Sequence, residues 1–300
     1  MDYKIVTDGS CDLPPELCRE KEVDVVPFYV SFDSEHYSRE NVDMPIRQFY
    51  DQMVADPTTF PKSSMPSVQD YIDVFTPIVS AGKAVICICI TTKFSGSYQS
   101  AMNAREMVLE SCPNARITVM DSTINTVLQG IFVLEAVRMY EARLPYEKVV
   151  EALEAIKGTG RIFFTVGNID YLKHGGRIGK LAGIAGSMLG IRPLITLKEG
   201  EIFPSGLARS RKKSLEKVYD LLWQYLQEIH AVPGAYSICV GYGYDIEEGE
   251  AFRKGAVEFL NAKGYAVTDA EIDKYQIGAT ISVHTGPYPL GFGVIRKSMV

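Results

Sequence analysis

The chain has 300 residues, 46% of them apolar and 23% charged, with a formal net charge of −6. That apolar share excludes a disordered chain, and the length suits two domains or one large α/β unit. The acidic balance argues against a nucleic-acid binder, which needs a clustered excess of Lys and Arg, and favours a small molecule or a protein as partner.

In chain order, strand-like runs at Tyr3 to Thr7, Val23 to Phe32, Ala84 to Thr91 and Arg116 to Met120 alternate with helical patterns. The helical patterns fall at Pro15 to Lys21, Pro45 to Ala55, Val68 to Ala81, Tyr98 to Glu110 and Ile124 to Tyr140. Such alternation predicts βα units and a parallel, Rossmann-like sheet. Ligands of open parallel sheets bind beyond the carboxyl ends of the strands, which places Asp8 to Ser10, Thr92 to Ser97 and Asp121-Ser122 at one rim. A second unit is expected to begin near Gly158-Thr159-Gly160, giving domains 1–158 and 159–300. It opens with a strand at Arg161 to Val166. Pro193 to Thr196 and Ile202 to Gly206 read as a hairpin around the polar turn Lys198-Glu199-Gly200-Glu201. A helix at Ser210 to Glu228, a strand at Tyr236 to Tyr242 and a helix at Glu247 to Ala262 follow. Further strands are expected near Tyr265 to Ile272, Thr280 to Val283 and Gly293 to Arg296, with mixed pairing in this half.

The most informative stretch is Ile90 to Ala101, where an apolar run hands over to Phe94-Ser95-Gly96-Ser97 and opens a helix. The first N–H groups of a helix lack intrahelical partners and carry the positive end of its dipole. Ser95, Gly96 and Ser97 can therefore offer N–H and O–H donors to a carboxylate or phosphate; an ordinary N-cap is the plainer reading. A second hydroxyl-rich turn, Lys62-Ser63-Ser64-Met65-Pro66-Ser67, precedes a helix, and His284-Thr285-Gly286-Pro287 follows the expected strand Thr280 to Val283. A lone histidine such as His284 is ordinarily satisfied by backbone in the core or on the surface.

Six cysteines are scattered without zinc-type spacing, and no secretory segment precedes them, which fits reduced thiols in a cytoplasm. Cys87 and Cys89 read as strand residues on one face, so no metal is expected. Gly183 to Gly190 follows no strand and lacks dinucleotide-type spacing; its glycines allow close backbone approach, and Ile184, Met188 and Leu189 either line a channel or pack a helix. Lys173, His174, Arg177 and Lys180 form one basic cluster, and Arg209, Arg211, Lys212 and Lys213 a second.

Thr7-Asp8-Gly9-Ser10-Cys11-Asp12-Leu13-Pro14, the Lys62 to Ser67 turn, Thr91 to Ala101, Asp121-Ser122, Tyr171-Leu172-Lys173-His174-Gly175-Gly176-Arg177-Ile178 and His284 to Pro287 together resemble the DegV family of bacterial fatty-acid-binding proteins. The resemblance covers the whole chain. It implies two α/β domains with a long-chain fatty acid held between them, its carboxylate at Ser63, Ser95, Gly96 and His284, and its tail near Phe94, Ile184, Met188 and Leu189. It also implies a carrier without a cofactor, which presents the carboxylate to a separate ATP-dependent fatty acid kinase in phospholipid synthesis. Arg177 would dock that kinase, and contact with a membrane or a membrane acyltransferase would be transient. The family usually has Thr where Ser63 stands, and Gly where Tyr288 follows Pro287. The rival reading is a lipid hydrolase or acyltransferase with Ser95 as nucleophile and His284 as base.

Overall fold

The structure, a computed structural model, describes residues 2–184 and 190–299, with the backbone alone at Ile184. In chain order the first half comprises β1 (Tyr3–Asp8), α1 (Pro15–Glu20), β2 (Asp24–Val26), β3 (Tyr29–Ser31), β4 (Ser38–Arg39), α2 (Ile46–Ala55) and β5 (Lys62–Ser64). It continues with α3 (Val68–Ser80), β6 (Ala84–Cys89), α4 (Ser97–Ser111), β7 (Ile117–Asp121), α5 (Thr126–Glu141) and α6 (Tyr146–Lys157). The second half holds β8 (Arg161–Thr165), α7 (Asp170–His174), β9 (Arg192–Lys198), β10 (Glu201–Ala208) and α8 (Arg211–Glu228). It closes with β11 (Tyr236–Tyr242), α9 (Ile246–Ala262), β12 (Ile272–Gln276), α10 (Ala279–Thr285) and β13 (Leu290–Arg296).

The first sheet runs β2-β1-β6-β7, all parallel, as the alternation predicts. The second runs β10-β9-β8-β13-β11-β12 and is mixed, with β11 and β12 the parallel pair. β6 is buried along its whole length, and Cys87 and Cys89 pack in the core with Tyr71 and Phe75. The β9–β10 hairpin turns at Glu199 and Gly200, both at positive φ (53° and 82°), the backbone signature of a type I′ turn.

Helix α5 joins the two sheets. Twelve of its residues are buried, which is the pattern of a helix covered on all sides. Its Leu13-facing side needs Gly130, where a Cβ would stand 2.7 Å from Leu13 Cδ2. On the other side Leu128 Cβ lies 2.8 Å from where a Cβ on Gly293 would stand. One apolar core therefore runs from β1 and β6 through α5 to β8, β9 and β13, across the step from α6 to β8.

Four sequence expectations are corrected. Val23 to Phe32 is two strands, because Pro27 has no N–H for a ladder. β2 stays in the first sheet, while β3 leaves it to form a small sheet ordered β4-β3-β5. Lys62 to Ser64 is strand β5 rather than part of a turn, paired with β3. The strand placed near Tyr265 to Ile272 lies later, at β12, after a 3-10 turn at Asp269–Glu271. Thr280 to Val283 is not a strand but the middle of helix α10. All four residues are buried, so no alternation betrayed the helix, and β-branched composition misleads at such a site. Among the described residues no helix is long and apolar enough to cross a membrane.

Candidate functional site

A cavity of about 270 Å³ lies between the sheets. Its walls are largely apolar, with Phe28, Ile90, Phe94, Leu128, Phe164 and Ile281 among them. Ser63, Ser95, Gly96, Arg177 and His284 also line it, so chain segments far apart in sequence meet on one surface.

The rim motifs hold this surface in place. Buried Asp8, at the end of β1, accepts from Ile90 N–H (2.9 Å), Gln129 Nε2 (2.9 Å) and Ser97 Oγ (2.7 Å). Thr92 Oγ1 donates to Asp121 Oδ2 at 2.7 Å, so all three rim segments are tied together as expected. Ser97, however, is not free for a ligand. Its hydroxyl is committed to Asp8 and lies 2.6 Å from Tyr71 OH, and its N–H donates to Ser95 Oγ at 3.1 Å. That bond leaves the Ser95 hydroxyl hydrogen available to donate. Gly96 is the N-cap of α4 and is exposed.

Ser63 reaches the cavity from β5, and its Oγ lies 3.3 Å from His284 Nε2. His284 sits in the last turn of α10, which Gly286 ends at φ 75° against the Tyr171 ring. Its Nδ1 is buried without a hydrogen-bond partner and packs on Gly175, where any Cβ would collide with the ring. Burial, then the charges of Arg177 and Lys62, push the imidazole down to about 4, so it is neutral at neutral pH. The loop after it is pinned to the end of β11: Tyr244 N–H donates to Pro287 O (2.7 Å) and Gly243 N–H to Pro289 O (3.0 Å). Tyr288 packs edge-on to Tyr244.

Arg177, expected as a docking residue, is exposed and also reaches the cavity. It lies on the cavity wall, donating from Nε and Nη2 to Phe94 O (3.1 Å each) and from Nη1 to Gly175 O (2.9 Å). Both acceptors are neutral carbonyls, so the positive charge remains uncompensated by these bonds. Lys173, Lys180 and Arg211, by contrast, pair with Asp170, Glu201 and Glu248. Phe94 lines the cavity. Met188, Leu189 and the Ile184 side chain lie outside the described residues.

Sequence reasoning missed Met65, whose sulfur covers Gly96, and Asn125, a buried cavity residue whose amide makes no hydrogen bond among the described residues. Nothing in their local pattern marks either one. Among the described residues no group of three or more His, Cys, Asp and Glu is arranged to hold a metal ion.

Two sheets joined by a largely buried helix, with a cluster of hydroxyl, N–H and imidazole groups on the wall of a largely apolar cavity, define an α/β protein built around that cavity. A family model described as "Uncharacterised protein, DegV family" matches residues 2–297, and the chain belongs to the DegV family. A DegV domain-containing protein of Listeria innocua is 30% identical over 288 residues, covering 96% of each chain. Among solved structures, a fatty acid (stearic acid)-binding protein from Eubacterium ventriosum is 46% identical, with a TM-score of 0.92 over 98% of both chains. A DegV family protein from Thermus thermophilus, described by its fatty acid binding, is 30% identical with a TM-score of 0.85, covering 99% of this chain and 100% of its own.

Proposed function

We propose that this protein binds a long-chain fatty acid in the cavity and presents its carboxylate to a separate ATP-dependent fatty acid kinase, which forms the acyl-phosphate. The observation that carries the reading is the meeting of Ser63 and His284, 3.3 Å apart, on the wall of an apolar cavity that Ser95, Gly96 and Arg177 also line. A fatty acid needs apolar walls for its tail and donors for its head. Roughly ten or more buried methylenes at about 0.8 kcal/mol each dominate the affinity, and the head group needs adequate pairing rather than a full salt bridge. Hydroxyls of Ser63 and Ser95, the Gly96 N–H, a neutral imidazole N–H and the nearby Arg177 charge meet that need. The 46% identical relative carries stearic acid in its description, which supports the same ligand class here.

Against the hydrolase reading, His284 Nε2 meets Ser63 and not Ser95, and among the described residues no carboxylate is hydrogen-bonded to the ring to orient it. The test is mass spectrometry of lipid released from purified, denatured protein, followed by titration of delipidated protein with palmitate and oleate. A long-chain fatty acid and a thermal shift are expected. Ligand-free protein that shows no shift with either acid would overturn the reading. Acyl-phosphate formed only when chain, kinase and ATP are combined would establish the carrier role.

A further inference from the structure

Three carboxyls lie in the interior near the cavity: Asp8 (0% exposed), Asp12 (7%) and Glu40 (3%). Among the described residues no Lys or Arg is paired or hydrogen-bonded to any of them. Three like charges without a counterion are not tolerated at such burial, so the hydrogen bonds decide where protons sit. Burial pushes the Asp8 carboxyl up as well, but four donors, Ile90 N–H, Gln129 Nε2, Ser97 Oγ and Ser10 Oγ, favour its charged form. Glu40 is supplied too. It leaves the small sheet just after β4 and caps α10, accepting from the N–H groups of Ala279 and Thr280 and from Thr280 Oγ1. Asp12 differs: Oδ2 accepts from Thr126 Oγ1, whereas buried Oδ1 makes no well-aligned hydrogen bond among the described residues and has only the Gly278 N–H beside it.

The orphan oxygen faces Glu40. A Cβ on Gly278 would collide with both Asp12 Oδ1 and Glu40 Oε1, so the two oxygens flank one point in space. Carboxylates so placed repel unless one carries a hydrogen, and a protonated Oδ1 would satisfy the orphan atom by donating to its neighbour. We infer that Asp12 and Glu40 share one proton, held on Asp12 and donated to Glu40, and that this pair positions α10 and through it His284. The binding consequence rests on the function proposed above. The direction of titration agrees: burial pushes Glu40 up to about 7, and burial together with the Glu40 charge pushes Asp12 well above the usual carboxylate range. Other titratable groups facing the pair are Asp8 at the end of β1, Cys11 in the 3-10 turn after it, and Tyr50 from α2, whose hydroxyl donates to Ile277 O. Cys11 and Tyr50 are themselves pushed up by their surroundings, so neither adds charge at neutral pH.

Loss of the shared proton in alkaline solution would set two carboxylates against each other beneath the N-terminus of α10. Asp12→Asn keeps a donor to Glu40 and cannot titrate, which makes it the discriminating variant. Carbon NMR of side-chain carboxyls in delipidated wild-type protein should show one Asp still protonated at neutral pH. The His284 ring signals should move as that proton leaves, far above their own titration, and should stay still over the same range in Asp12→Asn. Oleate affinity should fall about tenfold or more in the wild type across that titration and hold in the variant. A wild-type spectrum with every Asp and Glu ionised at neutral pH, or a His284 ring blind to the alkaline titration, would overturn the inference, and neither reading needs the variant to fold. Wild-type protein that binds no oleate at any pH would instead count against the fatty-acid reading, since the carboxyl and ring signals are read without ligand.

Discussion

At the scale of residues, the proposed head-group site relies on hydroxyls, an N–H and one ring where a salt bridge could serve. Ser95→Ala should weaken fatty-acid binding by about 1 to 3 kcal/mol, the range for a buried charged acceptor left one donor short, with the fold intact. Ser63→Ala should weaken it less, because His284 still faces the same space. Titration calorimetry with oleate and circular dichroism check both; unchanged affinity in both variants would place the carboxylate elsewhere. His284 gives a pH signature. Its folded value of about 4 lies below the ordinary 6.5, so the unfolded chain binds the proton more readily. The stability linked to the neutral ring is therefore whole above 6.5 and is lost as pH falls towards 4. Denaturant titrations of wild type and His284→Gln should converge over that window, the wild type showing the steeper acid loss.

At the scale of elements, most of the fold was legible where local chemistry and tertiary packing agree. Pro15, Pro45 and Pro145 announce helices α1, α2 and α6, and the capping box of Ser67 and Asp70 announces α3. Legibility failed where packing overrides composition. Helix α10 reads as a strand because Thr280, Ile281 and Val283 are β-branched, and the group that caps it, Glu40, lies 239 residues before Ala279, beyond any local pattern. Of the site, Ser63, Ser95, Gly96 and His284 were legible through their motifs and stand on the cavity wall. Ser97 read equally well as a ligand donor, and only the Asp8 contact shows that its hydroxyl is spent. The β9–β10 turn was legible too, but not its role in joining the halves: Thr91 Oγ1 donates to Gly200 O at 3.3 Å. Gly200→Ala would force a Cβ into positive φ and against Thr91 Oγ1. It should cost roughly 1 to 3 kcal/mol in chemical denaturation, whereas the same change at exposed Gly158, which has open space around it, should cost far less.

At the scale of the whole molecule, an acidic chain carries Arg177 at the cavity wall, hydrogen-bonded to carbonyls and in no ion pair among the described residues. If the proposed kinase recognises that charge, Arg177→Ala should lower acyl-phosphate formation with kinase and ATP, and the loss should shrink at high salt as surface charges are screened. Affinity for oleate, measured alongside, separates docking from head-group binding: equal affinity assigns the defect to the partner, and a matching loss of affinity assigns Arg177 to the ligand. The largely buried α5 bears on how cargo would move under the proposed function. Because that helix packs into both sheets at once, the halves cannot swing apart like a clamshell without stripping one side of it bare, which would expose much of the core. Under the proposed function, exchange of a long apolar guest would then run lengthwise through small side-chain movements near Met65 and Phe94, which line the cavity. A carrier of this build would behave less like a hand that opens than like a sheath, delivering the head of its cargo while the tail stays drawn inside.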